Sequence, residues 1–466
     1  MPENVYRRHP LLEIVDHPVA FTSEEQILAN REEILQHDIS DAEELSHESS
    51  SGGKSSMVAS IFNLVNNVAG AGILTLSSGV AKGTGWVPAL LICAGLGALS
   101  SHTFTLIGEA CSLTDEVNFK GLWSSTMGEE TAYLVDAIVA VMCFACSIIY
   151  QGILGDVFSP ILNSTGLKVL SKGRTSTILA ITVAILFPLS LIQNLSALAF
   201  TSTLGFASVT YTVFFVLFRA LDGTYTPKMG RFVMDKIIDM PSFARSTPLK
   251  INFASLVLAS NLGLAFVAHY NGPCFYRELK ENSPKRFRKM VHTSFALLTS
   301  LYVTIMLSGF FTFGDSTKGN LLLNYHPNDR LAVLGNLATG FSILFGFPLV
   351  MRGVVEGMDG ILSKIGIDPS VLQMEKVKIV SLLLVVMTLI AISVDDVSLI
   401  VSLTGAACGS FLVFILPVLI YVKAVKMKFG ENSIEHRRSK LNYSASFLGG
   451  ILGTLGVAMA IKDIVL

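Results

Sequence analysis

The feature that most constrains this chain is the recurrence of apolar runs about 20 residues long, the length a helix needs to cross a bilayer. Eleven stretches qualify, some with polar interruptions: 57–81, 86–110, 132–158, 175–192, 195–218, 251–272, 289–313, 331–351, 377–394, 398–423 and 444–466. In hydrocarbon every backbone amide must be satisfied within its own segment or by a neighbour, so such runs fold as helices. Composition agrees: 51% of the 466 residues are hydrophobic and only 15% charged, where a soluble domain carries about a quarter charged. The fold class is therefore all-α integral membrane.

Charge is unevenly spread. Residues 1–55 hold twelve Asp/Glu against four Lys/Arg, a net of −8, leaving 23 acidic and 30 basic side chains, a net of +7, for 56–466. The first 55 residues have no cationic start followed by an apolar core, so they are not a cleaved signal peptide. They end in SHESSSGGKSS, too polar to fold. The domain reading is a disordered acidic cytosolic tail over 1–55, open to a cytosolic regulator, and a transmembrane domain over 56–466. With the N-terminus inside, 21 of the 34 basic residues fall in cytosolic segments, as the positive-inside rule requires. One loop resists: 219–250 would lie outside, yet carries Arg219, Lys228, Arg231, Lys236, Arg245 and Lys250. The sequon at Asn163 falls outside in this orientation and is a glycosylation candidate; those at Asn194 and Asn442 fall inside.

Two of the runs are interrupted in corresponding places. In SIFNLVNNVAGAGILTL (60–76), Gly70, Ala71 and Gly72 follow Asn66 and Asn67. In the sixth run, Asn261-Leu-Gly263 sits at mid-depth. Small residues allow close helix packing, but asparagine in hydrocarbon must face protein or water. A helix loosened at membrane depth frees carbonyls and N–H groups for an ion or a solute. An odd count of eleven suits two inverted five-helix repeats plus one helix, and such repeats hold substrate where the first helix of each half is broken. The paired interruptions favour that reading over packing alone.

At this point the residues resemble a known family, the amino acid/auxin permeases, which include vacuolar and neutral amino acid transporters. FNLVNNVAGAGIL (62–74) and KGTGWVPALL (82–91) resemble its first-helix signature, and FVAHYNGPCFYRELKENSPKRF (266–287) its sixth-span end and basic loop. GFFTFGDSTKGNLLLNY (309–325) and FPLSLIQNLSALAFTSTLG (187–205) are similar to its loop after span seven and its hairpin between spans four and five. The likeness runs from about 56 to 466. It implies eleven transmembrane helices, a five-plus-five inverted-repeat (LeuT-like) core with one C-terminal helix, and secondary transport of neutral amino acids coupled to protons or sodium. It further implies that Ala69, Gly70, Ala71, Gly72, Ile73 and Leu74, with Asn261 and Gly263 of span six, receive substrate. Asn66 matches a position that helps hold sodium, with Thr339 and Ser342 of span eight as candidate partners. The aligned position there falls nearer Phe341, which moves the preference to proton coupling and to a vacuolar or lysosomal membrane.

Several ionisable residues are read individually. His269 is a candidate proton carrier or a helix–helix hydrogen-bond partner. His102, inside span two, is an ion-coupling candidate as well, and Glu109 a snorkelling side chain. Tyr150 can hydrogen-bond a substrate carboxylate or simply pack. Asp156 and Asp395-Asp396 read as solvated rim, and Thr201, Gly205, Ser208 and Thr212 as a close-packing seam. Cys143 and Cys146 form a CxxC by spacing within an apolar helix, where small buried hydrophobes are expected. No HExxH, phosphate-binding glycine loop or paired carboxylates occur, so neither an enzyme, nor a metal site, nor a cofactor beyond the coupling ion, nor a nucleic-acid partner is expected. Basic clusters at the membrane edge have the lipid bilayer as their natural partner. A nutrient sensor signalling through the tail, a sodium symporter and a passive channel are the alternatives.

Overall fold

A glycine-broken first span fixes the architecture. In the computed structural model, which describes residues 53, 55–164, 173–191, 201–234, 237–244, 247–366 and 375–465, helix α1 (Met57–Val68) stops and the chain resumes as a 3-10 turn, Ala71–Thr75, and helix α2 (Leu76–Ala81). The two halves are bent by 54°. Ser56 caps α1 by accepting from the Ala59 N–H at 3.2 Å. The expected tail, apart from Gly53 and Ser55, lies outside the described residues, as do the tight hairpin at 193–194 and the side chains of Thr201 and Asn163. The backbone of Asn163 belongs to the last turn of its helix rather than to a loop.

The chain continues as α3 (Trp86–Thr114), α4 (Phe119–Met127), α5 (Ala132–Ser164), α6 (Arg174–Ile181), α7 (Phe187–Ser190) and α8 (Thr201–Leu221). Then follow α9 (Ala254–Ala265), α10 (Gly272–Glu278), α11 (Pro284–Phe313), α12 (Arg330–Lys364), α13 (Lys376–Ser393), α14 (Val397–Thr404), α15 (Leu416–Phe429), α16 (Ile434–Ser439) and α17 (Tyr443–Val465). Among the described residues eight helices are long and apolar enough to cross a membrane, nine with the bent first pair. The fold is all-helical and multi-pass. The apolar segment Arg174–Ser190 is shorter and carries a π-turn at Thr182–Leu186 just before Pro188, whose ring and missing N–H do not fit an unbroken α-helix. A second π segment, Gly405–Ile415, likewise precedes Pro417.

The helix expected to break at Asn261-Leu-Gly263 does not break there. α9 runs through both residues to Ala265, and the interruption lies at 266–271. Asn261 spends its amide on the Thr75 carbonyl at 3.4 Å instead of its own helix. Gly263 admits close backbone approach: a Cβ there would meet the Gly405 carbonyl at 3.1 Å, and one at Gly409 would meet the Gly263 carbonyl at 2.9 Å. The helix restarts with Pro273 in its first turn, the position where a missing N–H costs nothing.

α5 packs most extensively on α12, and α3 on α11. Between α3, α9 and α11 stands a column of buried aromatics, with Phe104 stacked on Phe287 at 5.9 Å and Phe266 against Phe295 at 6.0 Å and Tyr302 at 4.9 Å. The chain just before α1 is strapped to the end of α10: Ser55 N–H donates to Glu278 O and Lys280 N–H to Ser55 O, both 2.9 Å. That is the tail end of the bundle, and the opposite end is the far end.

Candidate functional site

Both helix breaks meet at the bottom of one cavity of about 680 Å³. From α1 it is lined by Asn66, Asn67, Ala69, Gly70 and Gly72, from the second break by Ala265, Tyr270 and Asn271. Its rim carries Lys120, Asp136, Glu278, Arg352 and Glu356 at the tail end, with Lys120 and Asp136 paired at 2.6 Å. Gly70 is extended, φ −89° and ψ −163°, so the N–H groups that open the following turn and the carbonyls that close α1 lack helical partners. The arrangement offers N–H donors and a positive dipole end to a carboxylate, and carbonyls to an ammonium or small cation.

The two breaks are built against each other. A Cβ at Gly72 would touch Ala265 Cα at 3.4 Å. Tyr302 of α11, fully buried, directs its hydroxyl at Ala265 O (2.6 Å) and Val68 O (3.2 Å), the carbonyls where each helix stops. Asn271 Nδ2 donates to Asn67 Oδ1 at 3.3 Å nearer the tail end. Tyr302 escaped the sequence reading because a tyrosine in an apolar run carries no local signal; only the fold brings it to both breaks.

A smaller chamber of about 50 Å³ lies behind Gly70, among α1, α5, α8 and α12. Tyr150 closes one side, its hydroxyl 3.7 Å from a Cβ built on Gly70. Ser208, Thr212, Thr339 and Ser342 line the rest, with the Thr212 and Thr339 hydroxyls 3.2 Å apart. Gly205 sits between Asn66 Oδ1 and Ser342 Oγ, at 2.6 and 3.3 Å from its Cβ position. Gly205 of the expected seam thus lets α8 approach α1 and α12 closely, and Gly205, Ser208 and Thr212 also line these chambers. Phe341, which argued against a cation here, is 46% exposed and turned to Phe158 on the outer face. Asn66, Thr339 and Ser342 are therefore gathered, whereas Phe341 is not.

Other candidates lie elsewhere. Ile73 and Leu74 are buried and face the small chamber. Asn261 and Gly263 are buried between α9, the Ala71–Thr75 turn and the Gly405–Ile415 segment, away from the cavity lining. His269 is buried with Nε2 at 3.1 Å from both Ser100 O and Thr103 Oγ1, a tie between the second break and α3. His102 is exposed and bonded to Asn442 Oδ1 at 2.7 Å. Glu109 pairs with Arg288. Cys143 and Cys146 line the large cavity.

Asp156, expected on a solvated rim, is buried at the far end. Arg174 Nε donates to its Oδ1 at 2.7 Å and Asn320 Nδ2 to its Oδ2 at 3.2 Å. Asp395 and Asp396 stay exposed. Arg219, one of the six basic residues in the resisting loop, forks onto the fully buried Asp329 at 2.6 and 2.9 Å and also meets Asp222. Its charge is neutralised, which weakens the objection that loop raised.

The crystal structure of MhsT in complex with L-phenylalanine shares this fold, with TM-score 0.51 and 12% identity over 86% of this chain and 98% of that one. A rat protein named "Putative sodium-coupled neutral amino acid transporter 11" is 26% identical over 91% of this chain and 89% of its own. Vacuolar amino acid transporter 2 of Saccharomyces cerevisiae is 27% identical over 78% and 75%. The profile described as transmembrane amino acid transporter protein matches residues 53–462, and the chain belongs to that family, a family of transporters and not of enzymes.

Proposed function

We propose that this chain is a secondary active transporter of neutral amino acids in a vacuolar or lysosomal membrane, working by alternating access around its two broken helices. The observation that carries the reading is the meeting of the breaks, Gly72 against Ala265, with Tyr302 tied to both. The eleven apolar segments supply ten helices for a five-plus-five inverted repeat, in which α1–α2 and α9–α10 are corresponding members, and α17 is the added helix. Among the described residues no charged side chain lines the small chamber behind the break, so nothing there is set to pair with a charged substrate side chain. The relatives' names, neutral for one and vacuolar for the other, support both substrate class and compartment.

The small chamber also bears on the coupling ion. Its donors are hydroxyls and backbone, with the Asn66 amide next to it; neutral oxygens of this kind suit a small hard cation. This favours sodium over the proton preferred from sequence, since that preference rested on Phe341. Proton coupling is the second reading, carried by Asp136, Glu278 and Glu356 on the rim.

Proteoliposome uptake of a mixed amino-acid panel, with pH and sodium varied independently, separates these. Sodium coupling gives uptake that rises with sodium at fixed pH and loses that dependence in Ser342→Ala. A pH gradient that drives uptake without sodium selects the proton. Uptake no faster than in empty vesicles under either gradient removes the transport reading.

A further inference from the structure

A second large cavity, about 390 Å³, lies at the tail end between α3, α11, α15 and α16 and shares no lining residue with the transport cavity. One wall is apolar, formed by Leu113, Val425 and Phe429; across it stand two guanidinium groups from separate helices, Arg288 of α11 and Arg438 of α16. Arg288 is steadied by Glu109. Arg438 is exposed and forms no ion pair among the described residues. Glu435 also lines the cavity, so the lining itself is balanced in charge. The segments that flank it are not: residues 277–289 and 423–440 each carry six Lys/Arg against two Glu.

The site's location decides what it takes. Ile434, Leu441 and Phe447 beside it are 64%, 76% and 72% exposed, an apolar edge that belongs in a membrane. α11 begins at the cavity, at Pro284, with its positive dipole end there. Guanidinium groups fork onto phosphate oxygens, and basic pockets between membrane helices at the inner surface hold anionic headgroups. We propose that this cavity binds the phosphate-bearing headgroup of an anionic membrane lipid, between Arg288 and Arg438, with the glycerol and acyl chains along Val425 and Phe429. A lipid there braces the start of α11, the helix whose Tyr302 joins the two breaks.

The test uses the purified full chain in phosphatidylcholine nanodiscs, titrated with a fluorescent short-chain phosphatidylinositol phosphate and, separately, with inorganic phosphate. The expected result is saturable lipid binding, weakened about fivefold in Arg438→Gln, the equivalent of about 1 kcal/mol per arginine near an anionic surface, and further in Arg288→Gln/Arg438→Gln. Lys378→Gln, a basic change away from this cavity, leaves binding unchanged. Equal binding in wild type and Arg438→Gln overturns the proposal, as does inorganic phosphate binding over the same concentration range as the lipid, which would mark a soluble-anion site. If the double variant fails to fold, Arg438→Gln decides alone, because it breaks no ion pair among the described residues.

Discussion

Tyr302 holds two helix stops with one hydroxyl, at 2.6 Å from Ala265 O and 3.2 Å from Val68 O. Tyr302→Phe keeps the buried ring and leaves two carbonyls competing for fewer donors, at about 1 kcal/mol per hydrogen bond. The expected outcome is a modest fall in melting temperature with a roughly tenfold loss of uptake, since the geometry of both breaks depends on it; unchanged uptake would separate Tyr302 from the site. Gly72 makes a graded counterpart. A methyl there meets Ala265 at ordinary contact distance, 3.4 Å, so Gly72→Ala retains uptake, whereas Gly72→Leu wedges the breaks apart and abolishes it while the protein still folds, as gel filtration checks. Gly70 and Gly72 were legible in sequence because glycine between apolar runs is a local signal. Tyr302 was not, because its meaning lies in partners 234 and 37 positions away. At the far end, Asp222 is partly buried, which alone raises its pKa, but hydrogen bonds from Thr224 and the Arg219 pair outweigh burial and hold the carboxyl below its usual range. A depressed folded pKa stabilises fully above the unfolded value near 3.9 and is lost as pH falls through the folded one. The melting-temperature gap between wild type and Asp222→Asn is therefore expected to be largest near neutral pH and to close in acid, on a scale of about 0–1 kcal/mol for a partly exposed pair.

Elements were easier to find than their breaks. Each of the eleven apolar runs overlaps helix because bilayer length and apolarity leave no other solution. The second break was misplaced because Asn261 and Gly263 mimic an interruption, while the fold uses one for a cross-helix hydrogen bond and the other for close approach. The real break, at 266–271, is marked by Asn271-Gly272-Pro273, whose proline restarts the helix. The strap ahead of α1 is the other element only structure reveals. A side chain at Gly53 would sit 2.4 Å from the Glu278 backbone, so Gly53→Val is expected to release the strap. Amide exchange at Ser55 and Lys280, protected by 2.9 Å bonds in the parent, should then quicken several-fold, with the rest of α1 unchanged. Equal exchange in both proteins would show that the strap does not depend on Gly53.

Across the whole molecule the two ends differ. The large cavity has its charged rim at the tail end, while the far end is filled by Asp156 with Arg174 and Asn320, and by Asp329 with Arg219 and Tyr225. Under the alternating access proposed above, the far end opens as the tail end closes, and these buried ion pairs would hold the far end shut in one state of the cycle. Breaking a buried pair from one side leaves an uncompensated charge, costing about 3–5 kcal/mol; Arg174→Gln should therefore loosen the closed far end and shift the population away from the form described above. An Asn67→Cys reporter, exposed on the rim side of the break, tests this with a membrane-impermeant maleimide added from the tail end. With Cys143, Cys146 and the exposed Cys274 replaced by serine, labelling of an otherwise native chain is expected to be fast and slowed by substrate. Adding Arg174→Gln should slow it severalfold even without substrate. Identical labelling rates in the two backgrounds would mean that the far-end ion pair does not set the balance between the two faces.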